Sequence, residues 1–200
     1  MFYNSPMGVR GIDRILFVLA AILIIFGFVI FASASLGLLT RGGASFGTVA
    51  LKQLVFGLGL GSISLIAAAS LHYRAWRRLA FWLFLASLAA TVLVFVPGLG
   101  LEHGGAKRWV EVGSFSFQPG EALKLAFVVY FAAWLSAVKE RSQVTKLGMI
   151  PFGFLSAICG AVLLLQPDTD GFLIIALAGM AMLFAAGMNW RHVLVVILAA

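Results

Sequence analysis

The 200 residues are 62% hydrophobic and only 10% charged, with a formal net charge of +7. Soluble domains are nearer to about 45–50% apolar and roughly a quarter charged, so a water-soluble globular fold is excluded and a membrane-embedded one is indicated. The single cysteine, Cys159, rules out an intrachain disulfide and a cysteine-rich metal cluster.

Taken in chain order, runs free of Asp, Glu, Lys and Arg mark the spans. The first, expected over about 15–39, ends near Ala32-Ser33-Ala34, which looks like a small-residue cleavage site. Its apolar run continues to Leu39, longer than the ~7–15 residues of a signal-peptide core, so a retained anchor is expected. A Gly-rich turn over about 40–51 leads to a second helix over 52–71, and a third is expected over 79–97, beyond Arg74, Arg77 and Arg78. Gly27, Ser33, Ser35, Gly57, Gly59 and Gly61 are spaced to allow close helix approach.

Residues 98–120 form the one long polar loop, and Trp109 to Phe117 alternates weakly, which predicts a short extended segment at the membrane surface. The fourth helix, 121–138, reaches spanning length only by taking Glu121 and Lys124 into the membrane. A fifth over 148–165 and a sixth over 171–188 follow, joined by the turn Gln166-Pro167-Asp168-Thr169-Asp170-Gly171. Residues 193–200 begin a seventh that is too short to span, so the chain is expected to be cut off there. The fold class is therefore all-α, a polytopic transmembrane helix bundle in one membrane domain over 1–200, with six complete helices and the start of a seventh.

Nine of the 14 Lys and Arg fall on the side of the N-terminus, against Asp13 and Glu140, while five basic and five acidic residues share the other side. Cytoplasmic loops carry the excess of Lys and Arg, which predicts a cytoplasmic N-terminus and an outer loop at 98–120. Topology thus accounts for the whole charge, and no nucleic-acid partner is expected.

Three groups are candidates for chemistry. Glu121 and Lys124, three apart on one helix face, can pair. Ionisable groups at that depth should turn to the bundle interior or a wet cavity, and the pair reads equally as a structural ion pair or as a cavity lining. Lys107 and Arg108 beside Trp109 suit an anionic headgroup or an interfacial anchor. Asp168 and Asp170 suit the helix start that follows them. The turn at Gln166-Pro167-Asp168 echoes Gln118-Pro119-Gly120-Glu121, each placing Gln-Pro and then a carboxylate at the outer end of a descending helix. His72, His103 and His192 are dispersed, and no metal-ligand spacing, phosphate loop or nucleophile elbow is present.

Gly105-Ala106-Lys107-Arg108-Trp109, then Phe117-Gln118-Pro119-Gly120-Glu121 with Lys124, then Gln166-Pro167-Asp168 follow in an order that resembles the SEDS family, FtsW and RodA. Asp13, Ser33-Ala34-Ser35, Gln53 and Leu183-Phe184-Ala185-Ala186-Gly187 add to the likeness. The resemblance implies a bundle of about ten helices in the bacterial cytoplasmic membrane. It implies a peptidoglycan glycosyltransferase of division or elongation that polymerises lipid II on the outer face, beside a class B penicillin-binding protein, and releases undecaprenyl pyrophosphate.

Carried over residue by residue, the resemblance implies that Arg108 meets the pyrophosphate or headgroup, Glu121 and Lys124 form a cavity ion pair, and Asp168 supports the site; with Lys107 of the basic cluster these are the expected substrate-binding residues. It places the catalytic aspartate in a large outer loop beyond Ala200, so these 200 residues alone are expected to be inactive. No cofactor is evident in the residues, and the likeness alone admits a divalent cation, Mg or Mn. The chain departs from the family pattern at Gly120, usually serine, and at Asp170, usually glycine. A lipid-linked precursor transporter and a non-catalytic division or elongation scaffold are the competing readings.

Overall fold

A computed structural model describes residues 14–39, 53–103, 105–112, 115–139 and 144–188. The loop expected over 40–51 and the seventh helix expected from 193 lie outside the described residues. The chain divides into two units, Met1–Ser70 and Leu71–Ala200.

In the first unit, the charge-free run after Asp13 is one 26-residue helix, α1 (Arg14–Leu39). Gln53–Leu60 winds as a π-helix and passes directly into α2 (Gly61–Ser70). Wider π turns are rare in globular chains, and here Gly57 and Gly59 lie within them. At Gly27 and Gly61 the expected close approach is not found, since a Cβ at either would meet nothing within 4 Å. Gly27, Gly57 and Gly61 instead line an open apolar groove of about 520 Å3 between α1 and the Gln53–Ser70 segment.

The second unit carries α3 (Tyr73–Leu93), β1 (Gly100–His103), β2 (Ala106–Val112), β3 (Phe115–Phe117), α4 (Pro119–Lys139), α5 (Val144–Leu165) and α6 (Thr169–Ala185). α3 starts six residues before the expected 79, because arginine is a good helix former and the His72 side chain caps the start by accepting from the Arg74 amide at 3.3 Å. It also stops before the expected 97, where Val96-Pro97-Gly98-Leu99 makes a turn closed by the Leu99 amide on the Val96 carbonyl at 3.2 Å. Gly98 has φ +89°, the conformation a type II turn needs at its third position. α6 ends at Ala185, earlier than 188. The Gly187 amide bonds the Phe184 carbonyl and the Met188 amide the Leu183 carbonyl, a Schellman cap with Gly187 at φ +101°.

Residues 98–120 hold more order than a single extended segment. Three antiparallel strands in the order β1-β2-β3 pair Gly100 with Val110, His103 with Ala106 and Val110 with Phe117. Gly105, at φ +82°, stands just before β2 where the first hairpin turns. Alternation along β2 buries Ala106 and Val110 and leaves Lys107 and Glu111 exposed, so one face of the sheet covers the bundle end. Gly100 seats β1 against the end of α3, since any Cβ there would overlap the Val94 carbonyl.

The core lies between α3, α4, α5 and α6. On α4, Leu123, Phe127, Phe131 and Leu135 recur every fourth residue and form one buried stripe. They pack with Phe84 of α3, Phe152, Leu155, Cys159 and Leu163 of α5, and Ile175 and Leu183 of α6. Phe131 bridges Phe127 and Phe152 with ring centroids 5.7 Å from each. Close backbone approach occurs here: a Cβ at Gly179 would come 2.3 Å from the Phe152 ring and 3.3 Å from that of Phe127. We expect Gly179→Val to overpack this contact at a cost of about 1–3 kcal/mol. A melting temperature lowered by several degrees in detergent checks it, and an unchanged one argues against the packing.

Outside this stripe the helices show large apolar side chains, among them Trp82, Leu125, Phe154 and Leu165. Tyr73–Leu93, Pro119–Val138 and Gly148–Leu165 are long and apolar enough to cross a membrane. Lipid, rather than water, suits that surface.

Candidate functional site

The polar groups gather where α3 ends, α4 begins and α5 turns into α6. Asp168 is the N-cap of α6: its Oδ1 accepts from the Gly171 amide at 3.2 Å. A side chain at position 171 would strike that carboxylate, with a Cβ 2.6 Å from Oδ2, so glycine is required for the cap to close. Gln118, just before α4, donates from Nε2 to the other oxygen of Asp168 at 3.4 Å. The two Gln-Pro turns noticed in the sequence therefore meet on one carboxylate.

Arg108 reaches the same turn from β2. Its Nε donates to the Gln166 carbonyl at 3.2 Å, one terminal nitrogen donates to the Pro167 carbonyl, and the other lies 3.6 Å from Asp168 Oδ1. The planar fork of guanidinium suits this task, because two carbonyls and a carboxylate are held by one rigid group. Arg108 is thus engaged chiefly with protein, and about 30% of its side chain remains exposed against 6% for Asp168. The Gln166 side chain is buried and donates to the Thr91 carbonyl at 2.7 Å. Thr91 lies in the last turn of α3, whose final carbonyls have no partner within the helix. Gln166 therefore caps a helix 75 residues away in sequence.

Glu121 and Lys124 form the expected pair, Nζ to Oε1 at 2.7 Å, in the first turns of α4. The expected inward orientation holds for Lys124 only. Its side chain is 18% exposed whereas that of Glu121 is 61% exposed, since Glu121 sits at the helix rim. Lys107 is on the exposed face of β2 and makes no ion pair among the described residues. Asp170 falls in the first turn of α6 and is exposed, where a carboxylate favours the helix start, so this departure leaves the turn intact. At Gly120 a Cβ would sit 3.6 Å from Asp168 Oδ2 and 3.4 Å from Leu163, an ordinary contact that leaves room for a small side chain.

Sequence reasoning gave no role to Gln118, Gln166 or Thr91. The repeated Gln-Pro was the available signal for the two glutamines, while nothing local marks Thr91. No group of three or more His, Cys, Asp or Glu suited to a metal ion occurs among the described residues.

Apolar helices with a sealed polar end define a multi-pass membrane protein of the helical-bundle class. Comparison with known proteins gives the family. The FtsW/RodA/SpoVE family model, described as cell cycle protein, matches residues 13–200, and the chain belongs to that family. A probable peptidoglycan glycosyltransferase FtsW of Trichlorobacter lovleyi is 32% identical over 184 residues, 92% of this chain and 48% of that protein. The corresponding protein of Geobacter metallireducens is 32% identical over 197 residues, 97% of this chain and 52% of that one. Among solved structures, rod shape determining protein RodA of Thermus thermophilus aligns with a TM-score of 0.62 at 30% identity, covering 87% of this chain and 57% of its own. A chain from a structure described as "structural coordination of polymerization and crosslinking by a peptidoglycan synthase complex" aligns with a TM-score of 0.66 at 32% identity, covering 87% and 51%. The chain spans about half the length of the curated relatives it matches.

Proposed function

We propose that this chain contributes the substrate-holding part of a peptidoglycan glycosyltransferase that polymerises lipid II on the outer face of the bacterial cytoplasmic membrane. The convergence of Arg108, Gln118 and Asp168 on one turn carries the reading, because it builds a rigid polar floor at one end of an otherwise apolar bundle. The names of the FtsW relatives support the reaction class, and the charge asymmetry supports an outward-facing sheet end with the N-terminus in the cytoplasm.

On this reading the acceptor sugar hydroxyl loses its proton and attacks the donor anomeric carbon, and undecaprenyl pyrophosphate leaves. Positive groups fixed near a leaving pyrophosphate favour the transition state, because charge develops there in a site shielded from water. Lys107, and Lys124 beside Glu121, are the cations proposed for that role. Arg108 and Asp168 act as positioning residues, and the N–H groups of Arg108 not used on Gln166 and Pro167 are those a headgroup phosphate would meet. Asp168 is held as a cap and Glu121 is held by Lys124, so neither is assigned as the general base; that proton acceptor is placed outside these 200 residues, which alone would then not polymerise. No step is routed through a divalent cation.

A class B penicillin-binding protein is the proposed partner, supported by the description of the peptidoglycan synthase complex. The runner-up, a lipid-linked precursor transporter, rests on the Glu121–Lys124 pair at a membrane depth where ionisable groups mark pathways.

The test uses a protein of the relatives' length reconstituted in vesicles with lipid II. Glu121→Ala is expected to lower polymer formation by about a hundredfold, the scale of a small misplacement at a reacting centre, while the protein still inserts. Wild-type polymer from a well-inserted variant removes Glu121 from the site. Transfer of lipid II across the vesicle without polymer from the wild type would favour the transporter.

A further inference from the structure

At the opposite end of α3 lies a feature that polymerisation does not use. Arg74, Arg77 and Arg78 stand at i, i+3 and i+4, on one face of the helix, and with Tyr73 they line an open cavity of about 460 Å3. All three are exposed, and the ion pairs among the described residues are Arg108–Asp168 and Lys124–Glu121, so none of the three has a carboxylate partner there. Arg74 also rests over the Tyr73 ring at 5.8 Å.

This arrangement is unfavourable by itself. Like charges three and four apart on a helix repel, and the first turns of a helix carry the positive end of its dipole, which disfavours cations. An anion in the cavity would remove both penalties, and three guanidinium forks suit phosphate oxygens more closely than three ammonium groups would.

Depth decides what kind of anion it is. α3 has 21 residues, so it is about 30 Å long, which matches the hydrocarbon thickness of a bilayer. With its Thr91 end at the polar site, its Tyr73 end falls at the headgroup level of the other leaflet. Tyr73 and Trp76 lie in the first turn at this end, the side chains that prefer that layer. We propose that Tyr73, Arg74, Arg77 and Arg78 form a binding site for the headgroup phosphate of an anionic phospholipid in the leaflet opposite the polar site.

Native mass spectrometry of the full chain in detergent tests this, titrating phosphatidylglycerol against phosphatidylcholine. The wild type is expected to bind phosphatidylglycerol at least tenfold more tightly, and Arg77→Gln to weaken that binding by roughly fivefold, the effect of one basic residue at a charged surface. The triple variant Arg74→Gln, Arg77→Gln, Arg78→Gln is expected to lose the preference while binding phosphatidylcholine as before. Arg77→Lys, which keeps the charge but not the fork, is expected to fall between wild type and Arg77→Gln. An unchanged preference in Arg77→Gln overturns the site, and so does equal affinity of the wild type for the two lipids. Displacement of phosphatidylglycerol by excess inorganic phosphate would identify a free-phosphate site and overturn the lipid assignment.

Discussion

Arg108→Ala, in a protein of the relatives' length, is expected to lose polymerisation of lipid II by a hundredfold or more and to melt at a lower temperature. The side chain holds two carbonyls and a carboxylate of the α5–α6 turn. Hydrogen bonds to a charged group contribute about 1.5–3 kcal/mol each. Pro167 is exposed and its carbonyl can take water instead, whereas Gln166 is buried and its carbonyl is the harder loss. A total near 3 kcal/mol is therefore reasonable, as one such bond with part of the ion pair. Arg108→Lys separates charge from geometry: it keeps a cation near Asp168 but cannot hold both carbonyls, so it should recover part of the stability and little of the activity. Equal activity in Arg108→Ala and wild type would show that the turn does not need this clasp.

Asp168→Ala is expected to be at least as damaging, for a different reason. It removes the N-cap of α6, worth about 0.5–2 kcal/mol, and takes the counter-charge from Arg108. Breaking a buried ion pair by deleting one partner costs about 3–5 kcal/mol; the 30% exposure of Arg108 puts this case at the lower end of that range. Asp168→Asn should retain the cap, because the amide oxygen can still accept from Gly171, and should lose the ionic part together with the hydrogen bond from Gln118 Nε2, which would face an amide NH2. The order wild type, Asn, Ala in melting temperature, with polymer formation falling in the same order, is the expected result. If Asn melts no higher than Ala, the cap is not what Asp168 supplies.

Much of the bundle was legible in the sequence because membrane helices are written as gaps between charges. That rule misplaced the start of α3, since Arg74, Arg77 and Arg78 count as breaks in a hydropathy scan while the backbone accepts them readily in a helix. The sheet was legible only as weak alternation: strands of three to seven residues carry little periodic signal. Glycine spacing pointed to Gly27 and Gly61 among others, yet close approach between helices occurs at Gly160 and Gly179, where a phenyl ring occupies the space of a Cβ. Such a contact depends on the partner helix and leaves no trace in local spacing. Of the site, the echo between Gln118-Pro119 and Gln166-Pro167 was visible, and antiparallel helices bring the two to one end. What Arg108 holds was not visible, because a basic residue beside a tryptophan looks the same whether it faces lipid, ligand or protein.

The buried Gln166 also sets an order of events during synthesis. The Thr91 carbonyl is made 75 residues before the amide that satisfies it, an interval of about 4–15 s at 5–20 residues per second. Through that interval α3 and α4 can already be inserted while the end of α3 still bonds to water. The cap on α3 can thus form only after α5 has been made, so the helix that completes this end is the one that supplies Gln166.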